Sequence, residues 1–300
     1  YFFNPVSLLL NSSARTCSVL ASGSSSSPTP AIAWCRVTAI GCPDRHRRAR
    51  PTGRVARVLP SEFTVSPPPL PDRPVVFEQD WRDLAFLHWR VDPDEIRALF
   101  PAGTRPDVFD GATYVGLVPF EMRNTRAYGS PPFPYLGDFL ETNVRLYSVD
   151  DSGRHGVVFL SLESSRLLVS LLARGTVRIP YTWSRQRNDV DGMRRRWVTR
   201  RRWPHRGLTS RVIVDVGESI AEPDDLAVFL TARWGLHARW GGRTAWIRNT
   251  HPPWQLLRAT VVDCDDQLVR AAGVAVSGPP DVPTLFSAGL HTRFTAPEFL

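Results

Sequence analysis

From Val75 to the C-terminus the chain is a succession of short apolar segments, each broken off by Gly, Pro, Asn or Asp before it reaches helical length. That texture restricts the fold more than any other feature, because segments of this length and spacing can bury their apolar faces only by pairing as β-strands. Candidate strands are Ala85–Val91, Thr113–Phe120, Phe139–Tyr147, Gly156–Leu162, Thr176–Pro180, Arg195–Trp203, Ser210–Val216, Thr244–Asn249, Leu256–Asp263, Leu268–Val276 and Leu285–Phe294. Three short helices interrupt them. Asp92-Pro93-Asp94-Glu95 supplies an N-cap, a first-turn proline and acids ahead of Ile96. Ser165–Arg174 carries Leu168, Leu171 and Leu172 on one side and meets Gly175, and Pro223 opens a helix in which Leu226, Phe229, Leu230 and Trp234 share a face. The expected fold is α+β, mainly β: an antiparallel barrel with a few short helices, over residues 72–300.

Residues 1–71 read differently. They show no sustained period and carry Ser24-Ser25-Ser26 and Pro67-Pro68-Pro69, the composition of a disordered Ser/Pro/Arg-rich tail or an upstream extension. Val6–Leu10 is too short, and lacks the preceding basic region, for a signal peptide. Residues 1–70 hold eight arginines against two acids, whereas the rest holds 29 against 27. The formal charge of +8 therefore sits mostly in the tail, and no nucleic-acid partner is expected for the body. No 18-residue apolar stretch exists, so no membrane span is expected. Cys264 is the one cysteine of the body, which suits a reducing, cytoplasmic setting. Nothing in the composition opposes a homo-oligomer.

All 37 residues of the Lys+Arg class are arginine. Chemistry that needs a lysine amine, whether an imine or a phosphate-loop lysine, is thereby excluded. Glycine-rich phosphate loops, nucleophile elbows and paired zinc-ligand motifs are also missing, so neither a cofactor nor a metal is expected. Asp263-Cys264-Asp265-Asp266 reads as a hairpin turn rather than a metal cluster.

Strand alternation places Phe139, Glu141, Asn143, Arg145 and Tyr147 on one face and Leu140, Thr142, Val144 and Leu146 on the other. The polar face is either a solvent-exposed surface or, in a barrel whose apolar face packs on an outer layer, the lining of a cavity. His88 with Arg90, and His291 with Arg293, repeat the alternation and could converge as anion grips and proton carriers, or simply pair with neighbouring acids. Arg194-Arg195-Arg196-Trp197 and Arg200-Arg201-Arg202-Trp203 read as two strands joined by a turn, arginines outward and tryptophans inward.

Phe86–Arg123 (FLHWRVDPDEIRALFPAGTRPDVFDGATYVGLVPFEMR), FLETNVRLY at Phe139–Tyr147 and IPY at Ile179–Tyr181 resemble the uncharacterised YqjF-like family, domain of unknown function 2071, of the acetoacetate decarboxylase-like superfamily. The resemblance returns in FLTARWGLH (Phe229–His237), HPPW (His251–Trp254) and LFSAGLHTRF (Leu285–Phe294). It implies a cone-like β barrel with an internal pocket and no settled reaction. It implies also that Glu141 occupies the relatives' acidic position, that Arg90 lies on the arginine-bearing strand, and that Tyr181 stands where they carry a Schiff-base lysine after a proline. The expected function is the binding of a small organic acid or other polar metabolite, without imine decarboxylation. Glu141 and Tyr181 are the catalytic candidates, and His88, Arg90, Asn143, Arg145, His291 and Arg293 the ligand-binding ones. A lyase or hydratase using acid–base groups alone, and an Arg-rich nucleic-acid accessory protein, are the alternatives.

Overall fold

In the computed structural model the described residues are 65–67, 73–176 and 179–300, all within the second of two compact units, 56–300. Apart from residues 65–67, the tail expected over 1–71 lies outside the described residues. In chain order the elements are β1 (Val75–Val91), α1 (Pro93–Ile96), β2 (Thr104–Pro106), β3 (Thr113–Ala127), β4 (Phe139–Asp150) and β5 (His155–Ser164). There follow α2 (Leu167–Thr176), β6 (Tyr181–Asp191), β7 (Arg194–Trp203), β8 (Thr209–Ser219), α3 (Asp225–Thr231), β9 (Gly235–Trp240) and β10 (Arg243–Thr250). The chain ends with β11 (Leu257–Asp266), α4 (Leu268–Ala271), β12 (Thr284–Thr295) and β13 (Glu298–Phe299).

Five strands, β12-β1-β3-β4-β5, form a shared antiparallel sheet. Each of its edge strands forks. One part of β5 pairs β6 in parallel at Leu162↔Tyr181, and another pairs β9 in parallel at Val157↔Leu236. Likewise β12 pairs β11 at Leu285 and Phe286, and β10 at Arg293 and Phe294. The pairings therefore run in two circuits through the same five strands, one by way of β6-β7-β8-β11 and the other by way of β9-β10. Gly289 permits the close β1–β12 pairing. Its φ is +127°, and a Cβ there would lie 2.0 Å from the Trp81 carbonyl oxygen.

Alternation distributes the shared strands' side chains between the circuits. Leu87, Leu117, Val144 and Leu146 pack with Trp197, Val212 and Val214 into a filled core inside the first. Phe86, Val118, Phe120 and Phe139 point the other way. The apolar face of β4 thus packs into an interior of its own, not onto an outer layer as expected.

Several local expectations need correction. Asp263–Asp266 continues β11 and pairs β8, because Arg211 Nε donates to Asp263 Oδ2 at 2.5 Å across the ladder. Leu268–Val276 is not a strand: Asp266 Oδ2 accepts from Val269 N at 2.9 Å and Leu268 and Val269 are buried in the short α4. Thr176 ends α2 and residues 179–180 belong to no element, so the strand expected over 176–180 is not formed; 177–178 lie outside the described residues. The strand assigned over Arg195–Trp203 is formed as β7, but not as two strands joined by a turn, and while Trp197 is buried as expected, Trp203 is exposed and Arg201 buried.

Candidate functional site

A cavity of about 550 Å³ lies within the second circuit. Its lining is largely apolar, including Trp81, Leu84, Phe86, Val118, Phe120 and Phe139 from the shared sheet, Leu162, Val169 and Ile179 beside it, and Trp254. Into it also reach Glu141, Asn143 and Arg145 of β4 and Tyr181 at the start of β6. The three β4 residues are brought there by period-2 alternation, and Tyr181 by the parallel pairing of β6 beside Leu162.

Glu141 is only 2% exposed, and Tyr181 Oη donates to its Oε2 at 2.8 Å. Burial is the largest influence on Glu141 and pushes its pKa up to about 8, against hydrogen bonds from Tyr181 and Asn143 that favour the carboxylate; the Glu163 charge adds to the rise. At neutral pH the group is therefore mostly a neutral acid. Burial, with the adjoining Glu141, also holds the Tyr181 phenol well above its ordinary value, so it acts as a donor. Asn143 Oδ1 and Trp81 Nε1 are both buried without a hydrogen-bond partner at the cavity wall.

Arg145 is held from behind. Its Nη2 donates to the Leu230 carbonyl at 3.0 Å and to Tyr147 Oη at 3.1 Å, and its guanidinium lies 5.4 Å from the Phe86 ring centroid. Leu230 belongs to the last turn of α3, whose carbonyls have no partners within the helix. Neighbouring side chains satisfy them: Arg233 Nε donates to Phe229 O at 2.7 Å and Trp254 Nε1 to Thr231 O at 3.0 Å. The end of α3 thereby fixes three residues of the cavity wall. Gly116 supplies the room, since a Cβ there would sit 3.2 Å from the His88 ring and 3.3 Å from Arg145 Cγ.

The structure brings Glu141, Asn143, Arg145 and Tyr181 to one cavity, but not the other four candidates. His88 is fully buried behind Arg145, with Nε2 2.6 Å from Tyr147 Oη, and burial beside Arg145 lowers its pKa well below 6.5, so it is a neutral support. Arg90 is exposed where β1 ends, and its backbone N–H donates to Asp281 Oδ1 at 2.9 Å. His291 pairs with Asp80 at 2.7 Å and Arg293 with Glu78 at 3.6 Å, outside the cavity. The convergence read from alternation fails because each is taken up locally: His88 by Tyr147, Arg90 beside Tyr114 and Asp281, and His291 and Arg293 by the β1 acids Asp80 and Glu78. Sequence reasoning missed Arg233, Trp81 and Trp254. The resemblance segments were the available signals, HPPW for Trp254 and FLTARWGLH for Arg233, which is buried and paired with Asp107 and Phe229 O.

Elsewhere, Arg194, Arg195 and Arg196 of β7 pair with Asp215, Asp83 and Asp189, and Arg201 pairs with the buried Glu163. Among the described residues no cluster of three or more His, Cys, Asp or Glu is arranged to hold a metal ion, and no helix is long and apolar enough to cross a membrane.

Residues 78–291 match the model of a family described as uncharacterised conserved proteins, domain of unknown function 2071. The uncharacterised protein YqjF of Bacillus subtilis is 28% identical over 220 residues, 73% of this chain and 90% of that one. Among solved structures, the enduracididine biosynthesis enzyme MppR complexed with pyruvate aligns with a TM-score of 0.52 at 14% identity, over 83% of this chain and 94% of its own. Acetoacetate decarboxylase from Legionella pneumophila aligns with a TM-score of 0.52 at 10% identity, over 78% and 91%. An acetoacetate decarboxylase-like enzyme from Sphingomonas wittichii RW1 aligns with a TM-score of 0.52 at 14% identity, over 76% and 94%. At these identities the likeness is one of fold.

Proposed function

This chain belongs to the domain of unknown function 2071 family, and for it we propose the binding of an organic acid in the second-circuit cavity, without amine-dependent decarboxylation. The observation that carries the reading is a guanidinium, Arg145, and a neutral acid, Glu141, reaching into one largely apolar space. A carboxylate placed there finds a cation in surroundings of low dielectric, and a protonated Glu141 brings no second negative charge into the cavity to repel it. Binding should therefore weaken above about pH 8, where Glu141 ionises.

Native mass spectrometry of the protein from its own source, followed by calorimetry with the acid retained, tests this. Arg145→Leu is expected to weaken carboxylate binding about 100-fold, of the order seen when a charged hydrogen-bond partner is removed from a buried site. Unchanged affinity in that variant, or equal affinity for the matching amide, would remove the anion grip from Arg145.

The pKa of Glu141 near 8 beside a phenol favours a second reading, acid–base chemistry of a lyase or hydratase type, since a group poised near neutrality can both give and take a proton. Glu141→Gln should then abolish turnover while acid binding persists. Turnover that survives this change would leave only the binding role. No lysine exists in the chain, so borohydride with a keto acid should leave no reduced adduct in residues 72–300.

A further inference from the structure

The cavity is much larger than the acid head it would grip. An apolar cavity of roughly 150 Å³ accommodates one benzene, so about 550 Å³ leaves room for a body of two rings or more beyond a carboxyl group. The wall itself indicates the shape of that body. Beginning at Arg145, whose guanidinium lies over Phe86, a row of aromatic rings leads away from the charge. Phe86 meets Trp254 edge-on at 5.3 Å, Trp254 stacks on Trp81 at 5.8 Å with 8° between their planes, and Trp81 meets Phe294 at 6.2 Å. All of these residues line the cavity. Trp254 is anchored by its bond to Thr231 O, so the row is a preformed surface. Flat π faces favour offset-stacked and edge-to-face partners over flexible or strongly hydrated ones.

Resting on the organic-acid reading above, we propose that the ligand is an aryl-substituted carboxylic acid: its carboxylate meets Arg145, and its planar body of about two rings lies along the Phe86–Trp254–Trp81 row. The neutral acid Glu141 and the amide of Asn143 then flank the junction between head and body, where a carbonyl or hydroxyl substituent would be met by both donors and an acceptor. A two- to four-carbon acid satisfies Arg145 but leaves the aromatic row uncovered.

Calorimetry with acetate, phenylacetate and 2-naphthylacetate, a series with one head and a growing body, tests the size and nature of that body on the unmodified protein. The Kd is expected to fall at each step, by at least about 100-fold from the first to the last. Val118→Phe, which narrows the cavity, should lower the ratio of naphthylacetate to acetate affinity at least tenfold in a variant whose melting transition shows it folded. Naphthylacetate binding no tighter than acetate would overturn the aryl assignment and leave the acid reading standing. If none of the acids binds, the acid reading itself fails. A fourth ligand, 2-(2-naphthyl)ethylamine, separates head from body: it should bind at least tenfold more weakly than the acid, and equal affinity would overturn the carboxylate head.

Discussion

The two faces of the shared sheet carry buried acids of opposite character. On the first-circuit side Glu163 is fully buried and matched: Arg201 Nε donates to its carboxylate at 3.0 and 3.1 Å, Arg201 Nη2 donates again, and Ser184 Oγ donates to Oε2. On the second-circuit side Glu141, one cross-strand step away, has a phenol and an amide but no cation in contact. The first acid is met by a guanidinium and a hydroxyl; the second is neutralised by proton uptake. Burial alone does not mark a functional group. A complete set of partners marks a structural one, and a deficit beside an open volume marks a candidate site.

The largest expected effect lies on the matched side. Arg201→Met leaves Glu163 buried without its counter-ion and should cost about 3–5 kcal/mol. Glu163→Gln combined with Arg201→Met should recover much of that, measured as urea midpoints with the double-mutant cycle completed. A single-variant loss below about 1 kcal/mol would show that the two faces do not differ in this way.

Packing sharpens the comparison next. Leu146 sits in the filled core and Leu162 at the cavity wall, though both are almost fully buried. Leu146→Ala should cost about 3 kcal/mol, whereas Leu162→Ala enlarges a space that already exists and should fall near the lower end of the usual range, about 2 kcal/mol. Equal losses would indicate that the cavity is as tightly filled as the core.

The pH response follows from Glu141. Its folded pKa of about 8 lies above the ordinary 4.5, so the native state holds a proton that the unfolded chain releases. This contribution is fully present below pH 4.5 and declines as pH rises towards 8. Relaxation and water entry reduce its size to on the order of 2 kcal/mol. Glu141→Gln should flatten that slope in melting curves taken from pH 5 to 8; a slope left unchanged would place the titration elsewhere.

Only the β4 side of this contrast was legible in the sequence, since Glu163 carried no signal and Arg201 was expected to point outward. The alternation FLETNVRLY separated Glu141, Asn143 and Arg145 from Val144 and Leu146, and period 2 survives because β4 is paired on both sides. Tyr181 entered through the resemblance and not through pattern. Two strands were illegible for physical reasons. In β6, YTWSRQRNDVD, the buried Thr182 and Ser184 face a polar layer around Glu163, so apolar alternation is lost. In β9, burial on both faces over its first four residues, GLHA, removes the alternation instead. Leu268–Val276 misled in the opposite sense: apolar content without alternation cannot distinguish a strand from a helical turn. The forking of β5 and β12, on which the cavity depends, is a long-range pairing that no local pattern records.

The smallest effect concerns the histidine and arginine pairs that alternation grouped with the site. Arg293 is about half exposed and its guanidinium lies 3.6 Å from Glu78, which Arg126 and His291 also contact. An exposed pair gains little because water screens the charges and a long side chain loses rotamer freedom, so Arg293→Ala should change stability by no more than about 0.5 kcal/mol. It should leave carboxylate binding unaltered within twofold, because Arg293 lines no part of the cavity and its neighbours Glu78 and Asp80 hold their charges among other partners. Arg145→Leu, on the same chemical type of residue and by the same calorimetric measurement, is expected to lose about 100-fold. A tenfold or greater loss for Arg293→Ala would mean that the acids and guanidinium groups along β1 and β12 reach the ligand after all, and that the two faces of the sheet are not the division that matters for binding.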